Sequence, residues 1–472
     1  MARLASRYAH MCFILLLLAV FCSATPQAAA AQDGSLKASV QSALTYSPDL
    51  KSVQESYQMS QHALDRAKAG RLPSAYLSAG GGTTQRSDTL TKAYDEEDDW
   101  NLTGDYSLKL VQPLWHGGSI INDIKLREFL FNSADYTLES EGVNLVYSTV
   151  SAHVEVVRRY RLLELAAINV AEHEKILRIM RQRYDSNVAT IGELSQVQNR
   201  HARAIATKLA YQTSYDNALS NYLRITGKHA GELMGVEQPQ KVYPSVQFAR
   251  GACLKGNLRL KAAIENLFAT EKEKALAQSS FWPQLDFEVG HNWSDRAGDA
   301  NESVHGMGAM LRLNWEFFSG GRDKANVAMS SARIRQSKQA LYALMDSLNE
   351  DVESTYHMYE SALLQEAEYT KAKKASLRTK EDYNRQFLSA KRSIVDVLDA
   401  ENDLFYASSQ ELLSYYDKVL ASYRILALSG EILAELDVNP ASLRSLSPTT
   451  SDTTRNIISA APSHLNTLRT PQ

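Results

Sequence analysis

Two short polar segments of the sequence combine a hydroxyl and a carboxylate at a spacing that suits the start of a helix. Thr190 is followed three residues later by Glu193, and Ser393 is followed three residues later by Asp396. In such a capping box the two side chains accept hydrogen bonds from N–H groups that the first helical turn leaves unpaired. The second segment adds Asp399, which lies on the same helix face as Asp396. Two carboxylates on one face can hold cations and repel anions.

The remaining residues that could carry chemistry match no catalytic or metal-binding motif. The sequence contains no HExxH, CxxC or P-loop pattern, and its 11 histidines lack the spacing of metal ligands. The glycine-rich segment 80–84 lacks the lysine of a phosphate-binding loop. We therefore expect no enzyme activity, no metal and no cofactor. The formal net charge of −3 gives no reason to expect a nucleic-acid partner.

The two polar segments belong to an internal duplication. They lie 203 residues apart, and so do the motifs WHGG, which starts at Trp115, and FSGG, which starts at Phe318. A constant offset between such different sequences indicates a repeated structural unit. We assign residues 32–227 to the first repeat, residues 228–247 to a linker and residues 248–439 to the second repeat.

The two ends of the sequence have the composition of a leader and a tail. Residues 1–31 combine an arginine-containing start, an apolar stretch and a run of alanines, which predicts a secretory signal peptide. Its removal leaves Cys253 as the single cysteine, so we expect no internal disulfide bond. Residues 440–472 are rich in Ser, Thr and Pro and are predicted to form a disordered tail.

Each repeat has the pattern helix, β-hairpin, very long helix, tight turn and returning helix. Alternation of polar and apolar residues predicts the hairpins over 74–115 and 283–317. Helices are predicted over 36–70 with a break at Ser47 and Pro48, and over 119–185, 194–225, 252–279, 321–385 and from 394 onward. At a rise of about 1.5 Å per residue, a helix of roughly 65 residues spans about 100 Å. Heptad spacing in the last helix predicts a coiled-coil seam of Leu398, Phe405, Leu412, Val419, Leu426 and Leu433.

The four predicted strands have the length of membrane-crossing strands, for which about ten residues suffice when the strand tilts. The mean hydropathy of −0.32 excludes a protein of many membrane helices. Four strands cannot close a barrel, since the smallest have about eight, and an open edge in lipid leaves backbone groups unpaired. We therefore expect copies of the chain to join their sheets, with eight strands from two copies or twelve from three.

The two faces of these strands differ in polarity, so one face is expected to meet lipid and the other to line a wet interior. The apolar set is Leu108, Leu110, Leu285, Phe287, Val289, Leu311, Leu313 and Trp315, and the polar set is Lys109, Asp286, Glu288, Arg312 and Asn314. Trp115, Trp282, Phe317 and Phe318 fall where strands meet helices, which fits an aromatic belt at the membrane interface. A soluble α+β protein is the alternative, and it is disfavoured because helices of this length do not fit a compact domain.

The duplicated plan, and above all the motif SIVDVLDA at 393–400, resemble the TolC family of outer-membrane channel proteins over residues 35–435. The resemblance implies a mixed α/β membrane protein that forms a homotrimer surrounded by outer-membrane lipid. Three chains would share one twelve-stranded β-barrel in the bacterial outer membrane, continuous with a long α-helical coiled-coil tunnel in the periplasm. The number three comes from the family and not from the strand count.

The resemblance also implies roles for acids of the second turn. In the family, acidic residues ring the narrowest point of the tunnel, and Asp396 and Asp399 stand at those positions of the motif. Three copies would place six carboxylates around this pore constriction, which favours cations over anions. A helix cap is the structural alternative for Asp396, and the two roles are compatible. Gln196 replaces the counterpart of Asp399, so the first turn contributes less charge.

Other residues near the turns match family positions that keep the tunnel closed. Arg392 stands at the position of a gate latch, and the repeat offset makes Glu193 its expected partner. Two solvated charges are the alternative for this pair. Phe387 stands at a latch position where family members can carry tyrosine. Asn187 and Ala390 occupy turn positions where glycine is usual, and asparagine tolerates the left-handed conformation better than alanine does.

The function that the resemblance implies is a passive outer-membrane exit duct. A periplasmic adaptor protein would dock on the tips at Asn187, Thr190, Ala390 and Ser393 and connect the duct to an energised inner-membrane transporter. The leading version is protein export beside an ABC transporter, known as type I secretion. Efflux of small compounds beside a proton-driven pump is the alternative. A periplasmic coiled-coil scaffold without a pore is the alternative from another class.

Overall fold

The computed structural model describes residues 34–85, 87, 89–93, 100–296, 302–389 and 391–445. The predicted signal peptide, Ala390 and most of the predicted tail lie outside the described residues. The helices and strands of the first repeat are α1 (Leu36–Tyr46), α2 (Pro48–Ala69), β1 (Ser74–Gln85), α3 (Thr89–Ala93), β2 (Trp100–His116), α4 (Ser119–Asp185) and α5 (Ile191–Thr226). Those of the second repeat are α6 (Val246–Gly256), α7 (Leu258–Gln278), a 3-10 turn (Ser279–Phe281), β3 (Gln284–Arg296), β4 (Glu302–Asn314), α8 (Arg322–Leu388), α9 (Ile394–Leu428), α10 (Ile432–Glu435) and α11 (Pro440–Arg444).

The duplication is visible in the lengths of the long helices. Helices α4 and α8 each contain 67 residues, and the first residues of these two helices lie 203 positions apart, as do those of α5 and α9. Each long helix starts after a pair of glycines with positive φ, which are Gly117 and Gly118 in the first repeat and Gly320 and Gly321 in the second. A left-handed backbone suits glycine because it lacks a Cβ atom. The paired glycines are therefore the strand-to-helix turns.

The four strands form one antiparallel sheet in the order β1-β2-β3-β4. The central pair β2–β3 joins the two repeats, with Leu110 opposite Val289. Strands β1 and β4 lie at the edges of this sheet within one chain. The strands extend further into the connecting loops than the alternation predicts, because backbone pairing tolerates the glycines and polar residues there.

The extent of β4 towards the helices was predicted wrongly. The strand ends at Asn314, which pairs with Gln284, the first residue of β3. Beyond this point β3 offers no backbone partner, so residues 315–317 leave the sheet. Trp315 instead donates a hydrogen bond from Nε1 to the carbonyl oxygen of Phe281, at 3.1 Å.

One face of the sheet carries a charged network and the other carries apolar side chains. The Glu288 carboxylate lies 2.9 Å from both Lys109 Nζ and Arg312 Nε. The His116 ring lies 2.8 Å from the Asp286 carboxylate on the same face. The exposed apolar side chains include Leu77, Leu108, Leu110, Phe287, Leu311 and Leu313. This separation agrees with the two sets predicted from the sequence.

The largest apolar core lies where the first helices, the long helix α4 and the end of α9 pack together. Its fully buried members include Val40, Leu50, Leu138, Val146, Val150, Val154, Val419, Leu426 and Ile432. A buried polar network adjoins this core, in which the Ser39 hydroxyl lies 2.9 Å from His153 Nδ1 and 2.8 Å from the Tyr222 hydroxyl. His153 Nε2 lies 3.0 Å from the carbonyl oxygen of Met234. These contacts fix the linker against helices α1, α4 and α5.

The C-terminal part of the chain departs from the prediction in two ways. The predicted seam is interrupted after Leu426, because α9 ends at Leu428 and Gly430 has φ of 75°, so Leu433 lies in the separate helix α10. The predicted tail starts as helix α11, whose Leu443 is 1% exposed. Arg444 donates to the carboxylates of Asp135 at 2.6 Å and Glu139 at 2.5 Å. Burial and ion pairing hold this segment against α4.

Among the helices that the structure describes, none combines the length and the apolar character needed to cross a membrane.

Candidate functional site at the helical tips

The ends of the two long hairpins, α4–α5 and α8–α9, pack against each other around one apolar cluster, here called the tip cluster. Its buried members are Ile176, Leu177 and Met180 of α4, Leu194 and Val197 of α5, Phe387 of α8, and Ile394, Val397 and Leu398 of α9. All four helices therefore contribute to it. The cluster fixes the positions of the polar residues that the sequence analysis singled out.

The first turn contains a left-handed residue at the position where glycine is usual. Asn187 has φ of 57°, which is the left-handed conformation that asparagine tolerates. Around it, the Val188 N–H donates to the carbonyl of Arg183 at 2.8 Å. The second turn contains the equivalent bond, from the Lys391 N–H to the carbonyl of Gln386 at 2.9 Å. The two turns therefore share this hydrogen bond at equivalent positions.

The capping box is present at the first turn and incomplete at the second. The Glu193 N–H donates to Thr190 Oγ1 at 3.2 Å, and the Thr190 N–H donates to Glu193 Oε2 at 2.8 Å. These bonds stabilise the charged carboxylate, first of all through the Thr190 backbone, and lower the pKa of Glu193. Ser393 caps its helix by accepting from the Val395 N–H at 3.1 Å. The capping role predicted for Asp396 is wrong.

Arg392 contacts its own hairpin and not the first turn. Its guanidinium lies 3.7 Å from the Asp396 carboxylate and 3.9 Å from the centre of the Tyr383 ring. The predicted link to Glu193 is therefore not formed in this chain. The Glu193 carboxylate instead accepts from the N–H and the hydroxyl of Thr190, within its own turn.

Phe387 is a packing residue of the tip cluster. Its side chain is 8% exposed, and the Arg183 guanidinium lies 4.5 Å from the centre of its ring. This cation–π contact joins α4 to α8, so it crosses between the hairpins. At this predicted latch position, Phe387 therefore links the hairpins by apolar packing and a cation–π contact. The neighbouring Leu388 is 72% exposed and lies outside the cluster.

Asp399 takes part in an ion pair that joins the two hairpins. Its carboxylate accepts from the Arg200 guanidinium at 2.8 Å, and Arg200 lies on α5 whereas Asp399 lies on α9. Gln196, one helical turn before Arg200, is exposed. Sequence reasoning missed Arg200, although its position four residues after Gln196 places it on the same helix face.

A second ionic contact between the hairpins lies further from the turns, where Glu172 of α4 approaches Lys380 of α8 and Glu401 of α9. Lys380 of α8 lies 2.9 Å from the Glu401 carboxylate and 3.6 Å from the Glu172 carboxylate. Burial raises the pKa of Glu401, and the ion pair with Lys380 opposes this shift. His173 is buried beside this group, and burial, followed by the charge of Arg200, lowers the pKa of His173 to about 4. The imidazole is therefore neutral at pH 7.

The four aromatic residues predicted for the membrane interface lie where the sheet meets the helices, and all four are exposed. They are Trp115, Trp282, Phe317 and Phe318. The rings of Trp115 and Trp282 make an edge-to-face contact with their centres 6.2 Å apart. This pair links the end of β2 to the segment before β3. In the described residues, no group of three or more His, Cys, Asp or Glu side chains is arranged to hold a metal ion.

Comparison with known proteins decides the family. The family model described as outer membrane efflux protein matches residues 39–228 and 250–431. The chain belongs to the outer membrane efflux protein family. The two matched segments correspond to the two repeats, and the linker lies between them.

Individual relatives of this efflux protein agree with the assignment. The outer membrane efflux protein BepC of Brucella suis biovar 1 is 24% identical over 349 residues, which are 71% of this chain and 74% of the relative. The outer membrane protein TolC of Vibrio cholerae is 22% identical over 400 residues, which are 83% of this chain and 89% of the relative. The resemblance to the TolC family that the motif SIVDVLDA suggested is confirmed.

Solved structures share the fold of this efflux protein. The Campylobacter jejuni CmeC outer membrane channel superimposes with a TM-score of 0.73 at 14% identity, covering 90% of this chain and 88% of that chain. The predicted fold class, in which four strands per chain continue into long helical hairpins of a channel, is confirmed by this likeness. The protein is a bacterial outer-membrane channel of tripartite efflux systems with its helical part in the periplasm, and it is not an enzyme.

Proposed function

We propose that three copies of the chain form a passive exit duct that is closed at its periplasmic end by the helical tips. One observation carries the proposal, namely that a single chain offers a four-stranded sheet with edges at β1 and β4, continuous with two hairpins that each contain one 67-residue helix. Sheet edges in lipid are satisfied only by pairing with other strands. Copies that pair β1 with β4 enclose a space, and the charged face of the sheet lines it.

The tips are the proposed gate. Their apolar cluster and the ion pairs between the hairpins hold the four helix ends together, and Asp396 and Asp399 face the constriction. Exposed ion pairs each contribute only about 0–1 kcal/mol, so a docking partner can break several of them. Opening then requires the hairpins to separate, which also exposes part of the tip cluster.

The partner at the tips is proposed to be a periplasmic adaptor bound to an inner-membrane transporter. Polar turn residues at the tips, including Asn187, Thr190 and Ser393, lie beside exposed apolar side chains. Val188 is 65% exposed and Ile191 is 61% exposed. An adaptor that covers these two side chains removes apolar surface from water, which contributes favourably to the free energy of binding. Ala390, the fourth predicted docking residue, lies outside the described residues.

For the cargo, we favour small compounds that a pump delivers through the adaptor. The similarity to a protein named as an efflux protein, over 74% of its length, supports this version. Protein export beside an ABC transporter, the leading prediction from the sequence, is the competing version. Deleting the gene from its own bacterium separates them, because efflux predicts accumulation of a dye in the cells and protein export predicts loss of a protein from the culture medium.

The duct itself is tested by recording currents across a planar lipid bilayer that contains the purified protein. A duct with a closed gate predicts a small, steady conductance per inserted trimer and a larger one when the tips are loosened. A protein that inserts without any conductance, or that stays a stable single subunit in the membrane, would contradict the proposal and favour a scaffold.

A further inference from the structure

Arg200 of α5 forms an ion pair with an acid of the other hairpin. Its guanidinium donates to Asp399 Oδ1 at 2.8 Å, and no other ion pair joins α5 to α9 in the part of the chain that the structure describes. By contrast, the neighbouring acid Asp396 contacts Arg392 within its own hairpin. The two acids of the second turn therefore have cationic partners from different repeats.

This arrangement alters the charge that the tips present. Without cationic partners, three chains would contribute six carboxylates to the constriction. With Arg200 in place, Asp399 of each chain belongs to a neutral pair. The Asp399 side chain is still 55% exposed and the Arg200 side chain 36% exposed, so both charges act on ions in the adjoining water. Fixed charges at a narrow point of a pore determine which ions it favours.

The pair also has a mechanical consequence. Helices α5 and α9 are the returning helices of the two hairpins, and the pair fastens one to the other beside the tip cluster. Separation of the hairpins must break the pair, whereas the Arg392–Asp396 contact can persist because both residues move together. The two ion pairs are therefore not equivalent in a gating movement.

We propose that Arg200 determines the ion preference of the constriction and fastens the hairpins of each chain in the closed state, through its ion pair with Asp399. The proposal rests on the proposed function as a gated duct. It assigns to Arg200 two effects that can be measured separately, one on resting conductance and one on the choice between cations and anions.

The test compares Arg200→Ala with Asp399→Asn in planar bilayers, with a salt gradient across the membrane. Both variants break the same pair, so each should raise the resting conductance by up to about five-fold, the equivalent of ~1 kcal/mol. Their reversal potentials should shift in opposite directions. Arg200→Ala leaves an uncompensated carboxylate and should favour cations, whereas Asp399→Asn leaves an uncompensated guanidinium and should favour anions.

A matched control is Arg178→Ala, which breaks an exposed ion pair between Arg178 and Glu174 inside helix α4. This variant removes the same charge near the tips without unfastening the hairpins, so both readouts should stay at the wild-type values. The double variant Arg200→Ala with Asp399→Asn should conduct no more than either single variant, because one interaction is lost in all three.

The outcomes separate this proposal from the one it rests on. A wild-type protein without current contradicts the duct. A conducting wild type whose Arg200→Ala variant equals Arg178→Ala in both readouts overturns the role of Arg200 alone. Conductance increases that add in the double variant, or reversal potentials that shift in the same direction, also overturn it.

Discussion

Replacing Phe387 by alanine should loosen the helical tips while the rest of the chain stays folded. The Phe387 side chain is 8% exposed and packs in a cluster to which four helices contribute. Removal of a buried phenylalanine costs about 3–5 kcal/mol in a well-packed core, and the contact with Arg183 adds about 0.5–1 kcal/mol. The end of a hairpin can partly collapse into the space, so we expect the free energy of local opening at the tips to fall by about 3 kcal/mol. This loss corresponds to an increase of about 100-fold in local opening.

The assay is hydrogen exchange of backbone amides in the purified, detergent-solubilised protein. Exchange between residues 383 and 398 should accelerate by the same factor of about 100 where opening precedes exchange, and exchange in helix α1 should not change. The control is Leu388→Ala, one residue further along the chain and 72% exposed. Changes at such surface sites stay within about 0.5 kcal/mol. If the two variants exchange at the same rate, the tip cluster does not hold the hairpins together.

Three further perturbations test other parts of the structure. The pKa of the buried His173 is lowered from 6.5 to about 4, so on acidification the unfolded chain takes up a proton before the folded chain does. The free energy of unfolding should therefore be about 2 kcal/mol lower at pH 5 than above pH 6.5, and denaturant unfolding of His173→Gln should lack this decrease. The raised pKa of Glu401 has the opposite effect, and it is present in both proteins. Gly117→Ala should lower the thermal midpoint, with a cost of about 2 kcal/mol or more, because φ is +63° and the new Cβ would lie 2.6 Å from the Cβ of Trp282. Leu443→Ala should weaken the packing of α11 against the rest of the chain by about 2–5 kcal/mol and should expose the C-terminal segment to proteolysis. Unchanged cleavage would show that this side chain does not anchor α11.

Features that depend on neighbouring residues were predictable from the sequence. The Thr190 cap is an example, because both partners lie within one helical turn, although the same spacing at Ser393 and Asp396 yields only the Ser393 half of the box. The left-handed Asn187 follows in the same way from the needs of a short turn. The alternation in β3 and β4 fixed which side chains share a face, since the side-chain period of a strand is two.

Contacts between distant parts of the chain were not predictable. The predicted link between Arg392 and Glu193 depended on how two turns of different repeats lie relative to each other, and Arg392 instead pairs with Asp396 in its own turn. The pairing of Arg200 with Asp399 depends on how α5 and α9 lie side by side, which no local pattern specifies. Helix α11 escaped notice because one buried leucine in a polar, proline-containing stretch gives no periodic signal.

The equal length of α4 and α8 limits how this protein can change. Removing one residue from α4 alone would turn the direction of its end by about 100° and draw it back by about 1.5 Å. The apolar side chains of the first turn would then miss those of the second. Insertions and deletions in α4 or α8 must therefore occur in both repeats together, or be absorbed in the connecting segments. The length of the helical hairpins can consequently change only when both halves of the gene change by the same amount.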